Sequence, residues 1–168
     1  MQRSIVSLGV FFLCLGCGGA DDDGDRESAS QGWRAASAAL GSASADFQAQ
    51  VDAGGDEVEV GCPQGGRVRL EGEVDAASFD FTVAFERCAA RGVVVDGELS
   101  YIGQASAGRL EFAYVGALAF SGTVEMSCDI DVAGITEVST DPMNPSASAE
   151  LHGSICGYAA DVVAGVDG

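Results

Sequence analysis

Apolar positions recur along this chain with two different periods. Between Trp33 and Val51 the period is helical: Trp33, Leu40 and Phe47 stand seven residues apart with Ala36 and Ala43 between them, which puts all five on one face. The segment is rich in Ala, holds no Pro and runs into Gly54-Gly55, a pair suited to ending a helix. The pattern predicts a helix over 33–51 whose apolar stripe packs on the remainder of the domain.

From Val58 onward the period drops to two. Val58, Val60 and Cys62 alternate with polar residues, as do Val68, Leu70 and Val74, with Arg69, Glu71 and Glu73 between them. Phe79, Phe81, Val83 and Phe85 share one parity, with Asp80, Thr82 and Glu86 on the other. Leu110, Phe112, Tyr114, Leu118, Phe120, Val124, Met126, Cys128, Ile130 and Val132 keep a single parity through a run too long for one ordinary strand, with bends or turns expected at Gly116 and Ser121-Gly122. Each run reads as an antiparallel strand with one dry and one wet face. Turns are expected at Asp75–Ser78, Asp96-Gly97, Gln104–Gly108 and Asp141–Ser146. The fold class is therefore mainly β over 58–168: an antiparallel sandwich, curved sheet or small barrel, with one N-terminal helix packed on it.

The first residues break with both periods. Met1 and Arg3 carry positive charge, and Ile5 to Leu15 form an apolar stretch shorter than the roughly 20 residues that a spanning helix requires. A basic start, a short apolar centre and small residues before a cut site describe a signal peptide. Leu13-Cys14-Leu15-Gly16-Cys17 resembles the lipobox of bacterial lipoproteins, with Gly16 at the last leader position and Cys17 at the modified one; Cys14 departs from the commoner Leu. The resemblance implies a leader over 1–16, a diacylglyceryl group on the Cys17 thiol, further acylation (palmitate-like) of its amine, and a membrane anchor. Gly18, where an Asp would hold such a protein at the inner membrane, implies the outer membrane. The alternative is an ordinary signal peptide cut near Ala20. Residues 17–32 read as an acidic, flexible tether, since Asp21, Asp22, Asp23, Asp25 and Glu27 repel one another. Asp21, Asp23 and Asp25 have the spacing that opens a calcium loop, but Arg26 and Gly32 occupy the positions where Gly and Glu belong.

Once Cys14 leaves with the leader and Cys17 takes lipid, Cys62, Cys88, Cys128 and Cys156 remain. An even number in an exported domain reads as two disulfides. Cys62 and Cys88 lie nearly symmetrically about Asp75–Ser78, and Cys128 and Cys156 about Asp141–Ser146, which favours those pairs. Cys88 and Cys156 are out of phase with their strands, so each pair requires a one-residue bulge, near Arg87 and near Gly153. Cys62–Cys128 with Cys88–Cys156 is the alternative. Each bridge in the favoured pairing is worth roughly 3 kcal/mol in the chain-entropy model. The spacing lacks a close Cys-x-x-Cys pair within the domain, which argues against zinc.

Composition narrows the chemistry. The 168 residues suit one domain, and 26 acids against 8 bases, all Arg, give a formal charge of −18. Such a chain repels nucleic acid. With no Lys, a phosphate-loop lysine or Schiff base is excluded, and one His excludes a multi-His metal site. His152 and Ser154 share a strand face without a positioned acid or oxyanion site. Asp129 and Asp131 lie about 7 Å apart by strand rise, but they alternate with core residues and read as a solvated face. No catalytic residue, metal or cofactor is assigned beyond the lipid on Cys17. The expected function is a noncatalytic, lipid-anchored envelope protein acting as a structural or binding module, its partners the membrane and an envelope protein. The alternative is a carrier whose aromatic inner face (Phe79, Phe81, Phe85, Phe112, Tyr114, Phe120) encloses an apolar ligand. The whole chain, with Cys62-Pro63-Gln64-Gly65-Gly66 among its short strands, resembles envelope lipoproteins of myxobacteria, a resemblance that implies no activity.

Overall fold

The structure, a computed structural model, describes residues 23–51, 57–75, 77–138 and 147–165. The leader, Cys17, the Gly54-Gly55 stop and the Asp141–Ser146 turn lie outside them. A helix, α1 (Asp23–Val51), precedes β1 (Glu57–Gly61), β2 (Arg67–Val74), β3 (Ser78–Ala90), β4 (Val93–Ser106), β5 (Arg109–Gly122), β6 (Met126–Val138), β7 (Ala147–Ile155) and β8 (Tyr158–Ala159), and α2 (Ala160–Ala164) follows. All eight strands form one antiparallel sheet in which each pairs with the next along the chain. Of the three shapes the alternation allows, the chain adopts the curved sheet, with α1 against its inner face.

Alternation decides that inner face. Val83, Leu99, Ile130 and Ile155 point inward and are buried, while Asp80, Glu98 and Asp129 point outward and are exposed. Along the rows that cross the strands, large side chains alternate with glycine. Gly97 lies between Phe85 and Leu118, Gly116 between Leu99 and Ile130, Gly103 between Phe79 and Phe112, and Gly134 between Phe112 and Leu151. The missing side chains let the sheet bend and give the rings somewhere to lie. A Cβ on Gly103 would stand 2.3 Å from Phe79 Cζ.

Two sequence expectations need correction. First, α1 starts at Asp23, inside the segment read as a tether, so 23–32 are helical. Ala29 and Ser30 are buried, and the Ser30 hydroxyl donates to the Val163 carbonyl at 2.9 Å. Tertiary docking against α2 thus outweighs the like-charge repulsion that suggested a tether. In the stripe, Trp33, Ala36, Leu40 and Ala43 are buried as expected; the Phe47 side chain lies outside the described residues.

Second, Asp96-Gly97 is not a turn. Both residues lie within β4, and β3 turns instead through Arg91-Gly92. The pair serves a bulge in β3. Phe85 opposes Gly97 and Cys88 opposes Val95, so β3 carries one extra residue, and Arg87 there has φ +49°. The Asp96 carboxylate accepts the Arg87 backbone N–H at 2.8 Å, satisfying a donor the bulge takes off the ladder. The turns at Asp75–Ser78 and Gln104–Gly108, and the break after Ser121-Gly122, occur where expected. At Gly116, the other position expected to bend or turn, the chain does not turn and β5 continues.

Candidate functional site

The four domain cysteines form Cys62–Cys88 and Cys128–Cys156. The β3 bulge brings Cys88 inward, where it is buried. Cys62 does not sit on the neighbouring strand of that hairpin. It closes β1, and the Pro63–Gly66 turn folds it back toward β3. Gln64 N–H donates to Ala89 O at 2.9 Å, Ala89 N–H to Gly65 O at 2.8 Å, and Gly92 N–H to the Gln64 side chain at 2.9 Å. Gly66, at φ +74°, packs so tightly on the bulge that a Cβ would stand 1.9 Å from Arg87 O. The Cys-Pro-x-Gly-Gly motif is therefore a structural clasp. The second bridge needs no bulge at Gly153, because β6 and β7 stay in register through it. Instead Cys156 takes φ +54° just after β7 and its N–H donates to Asp129 O at 2.9 Å, which turns the sulfur toward Cys128.

The residues considered for catalysis do not assemble. His152 is exposed on β7, no hydrogen bond joins it to Ser154, and Asp129 and Asp131 are exposed on the outer face of β6. Among the described residues no group of three or more His, Cys, Asp or Glu could hold a metal ion, and no helix is long and apolar enough to cross a membrane.

What the fold does bring together is aromatic. Tyr101 and Tyr114 pair across β4 and β5 with stacked rings, centroids 4.4 Å apart, and Trp33 meets Tyr114 edge-on at 5.9 Å. Phe79 stacks on Phe81 at 5.6 Å and leans on Tyr101 at 4.7 Å. Phe112 meets Tyr114 edge-on at 5.5 Å. Burial pushes the Tyr114 hydroxyl well above the ordinary phenol range, helped by the neighbouring Tyr101; burial also raises Tyr101, though its hydrogen bond with Tyr114 opposes the rise. Tyr101 was not among the aromatic residues the sequence singled out. The misread turn at Asp96-Gly97 hid its strand; the alternation Val93, Val95, Leu99, Tyr101 was the signal that could have found it.

Burial along the inner face is graded. The rows under α1 are fully covered, and the aromatic rows thin out toward the opposite end of the strands. There Phe79, Leu110, Phe112 and Leu151 are only half-buried. Phe112 and Leu151 meet over Gly134, where a Cβ would stand 2.4 Å from Phe112 Cζ and 2.8 Å from Leu151 Cδ2. The same end carries an open cleft of about 510 Å³ whose lining includes Glu73, Asp75, Asp80, Ile102 and Glu111. Arg109 pairs with Glu111 at 2.8 Å and also with Glu137, bracing β5 against β6.

No family model, curated protein or solved structure matches the chain.

Proposed function

We propose that the chain is a noncatalytic envelope lipoprotein, anchored through Cys17, whose sheet end serves as a binding module. The observation that carries the binding reading is the half-buried apolar row Phe79, Phe112 and Leu151, which ends at the rim of the sheet. Such a row loses free energy to water at about 25 cal/mol per Å² of apolar surface until something covers it. The carrier reading receives less support, because the inner rings stack on one another and on Trp33 and so fill the space a ligand would take.

The anchor rests on the lipobox resemblance and on spacing. Five residues separate Cys17 from α1, and the six steps from Cys17 to Asp23 reach at most about 22 Å when fully extended. The domain would stand close to the lipid surface. Metabolic labelling with a clickable palmitate analogue tests this directly. The full chain is expected to take the label and fractionate with the outer membrane, and Cys17→Ser to take none. Equal labelling of both, or none of either, would remove the anchor. For the binding module, a photo-crosslinking residue at Phe112 is expected to trap a protein partner, whereas one at outward-facing Ala117 is not. A lipid adduct at Phe112 would favour the carrier instead.

A further inference from the structure

The open cleft at the end of the sheet joins two kinds of surface in a volume of about 510 Å³. Its apolar part is Phe79 and Phe112, both half-buried, with Ile102, which is 44% exposed. Its charged part is Glu73, Asp75 and Asp80, all exposed. Strand register fixes how the two meet. Glu73 on β2 stands directly opposite Asp80 on β3, and Asp80 directly opposite Ile102 on β4. Like charges set directly opposite destabilise a sheet. Among the described residues no arginine bridges to Glu73, Asp75 or Asp80. Arg67 and Arg69 pair with other glutamates, and Arg109 takes up Glu111, which also lines the cleft. His152 lies three strands beyond Ile102 in the same row. The chain holds no Lys, and Arg3, in the segment read as a leader, is the one Arg outside the described residues. The domain thus has no basic side chain left over to neutralise these three carboxylates.

We propose that this cleft receives a basic, amphipathic segment of a protein partner. An arginine or lysine head of that segment meets Glu73, Asp75 and Asp80, while its stem and an apolar neighbour cover Ile102 and the two phenyl rings. Charge complementarity selects this occupant. Nucleic acid and acidic chains are repelled by the carboxylates. A small polycation would meet the carboxylates but leave Ile102 in water. A basic side chain does both, because its aliphatic stem lies along apolar surface while the charge stays outside. A guanidinium also lies well on a phenyl face and grips a carboxylate through two parallel hydrogen bonds. Its arrival turns the Glu73–Asp80 repulsion into attraction, so the destabilised pair becomes the grip. This inference deepens the binding-module reading and rests on it; it is independent of the lipid anchor.

Fluorescence anisotropy of labelled peptides tests it, on the full chain carrying Cys17→Ser so that neither lipid nor detergent is present. A short peptide alternating arginine and leucine is expected to bind at least about tenfold more tightly than one alternating arginine and serine, and one alternating glutamate and leucine is expected not to bind. Glu73→Gln, Asp75→Asn and Asp80→Asn together should weaken the arginine–leucine peptide by about tenfold or more. Glu98→Gln, Asp129→Asn and Asp131→Asn remove the same charge from the outer face away from the cleft, and should weaken it by less than about twofold. Equal loss in the two triple variants would reduce the effect to the net charge of the chain and overturn the site. Equal affinity for the arginine–serine peptide would overturn the amphipathic segment, and this comparison needs no variant of the cleft to fold. The photo-crosslink at Phe112 separates the proposal from the reading beneath it. The partner adduct is expected to be lost when the three cleft carboxylates are neutralised. An adduct that persists at full yield would overturn the basic segment and leave the binding module standing, whereas no adduct in either protein would remove both.

Discussion

Tyr114 concentrates the physics of this molecule in one side chain. Its ring is held between Tyr101 and Trp33, and burial raises its ionisation well above the ordinary 10.0. The fold therefore favours the neutral phenol. A group whose folded pKa lies above its unfolded value contributes stability that is complete below the unfolded pKa and is lost as pH climbs through the folded one. The consequence is alkaline unfolding: stability falls above about pH 10. In a rapid pH jump, tyrosinate absorbance from Tyr101 and Tyr114 should appear together with the loss of Trp33 tertiary signal. Ionisation of both while near-ultraviolet dichroism stays native would contradict this account. Tyr114→Phe keeps the ring and removes the titrating hydroxyl, and should shift the alkaline transition upward.

At the scale of elements, two of the three glycines in α1 have opposite roles. Gly41 faces open space, where a Cβ would meet nothing within 4 Å, whereas a Cβ on Gly32 would lie 2.7 Å from the Phe120 ring. Both substitutions gain up to about 1 kcal/mol of helix propensity. Gly41→Ala should keep that gain, but Gly32→Ala must displace a buried ring and should be destabilising by about 1–3 kcal/mol net. Urea unfolding of the two variants separates them, and a stabilised Gly32→Ala would mean that α1 rides more loosely on β5 than described.

Packing of this kind also decided what was readable in the sequence. Strands with clean alternation, such as Phe79 to Phe85, were legible because each side chain reports its own face. Symmetry about the turns favoured both cysteine pairs that form and the bulge at Arg87, but it left the crossed pairing open and asked for a bulge near Gly153 that β7 does not have. The first turns of α1 were not legible, since small Ala29, Ser30 and Gly32 give no apolar stripe and the α2 carbonyl that Ser30 bonds, on Val163, lies more than a hundred residues away. Asp96-Gly97 misled for a related reason: the residues that suit a tight turn also suit a strand bent opposite a bulge. The aromatic cluster was half-legible, lacking Tyr101.

The whole molecule is an open sheet stapled on its two flanks. Cys62–Cys88 ties the end of β1 to β3, and Cys128–Cys156 ties β6 to the segment leaving β7, while the long central strands β4 and β5 carry no bridge. Loops spanning 26 and 28 residues each contribute about 3–4 kcal/mol in the chain-entropy model. Replacing Cys62 and Cys88 together by Ser should lower unfolding free energy by that amount, and replacing Cys128 and Cys156 should do likewise, with the central strands the last to exchange amide hydrogens in either variant. A loss below about 1 kcal/mol for one pair would show that its flank is held by packing instead.

Strand order along the chain equals strand order in space, and the bridges obey the same rule. The chain emerges amino end first, so Cys62 and Cys88 arrive together, with β1, β2 and β3 already able to pair, before Cys128 has appeared. With Cys14 and Cys17 taken up by the proposed leader and lipid, an oxidant that joins the remaining cysteines in order of arrival makes the native first bond, and then finds only Cys128 and Cys156 left to join. Maturation needs a source of oxidising equivalents but no reshuffling of wrong bonds: the timetable of emergence does the sorting.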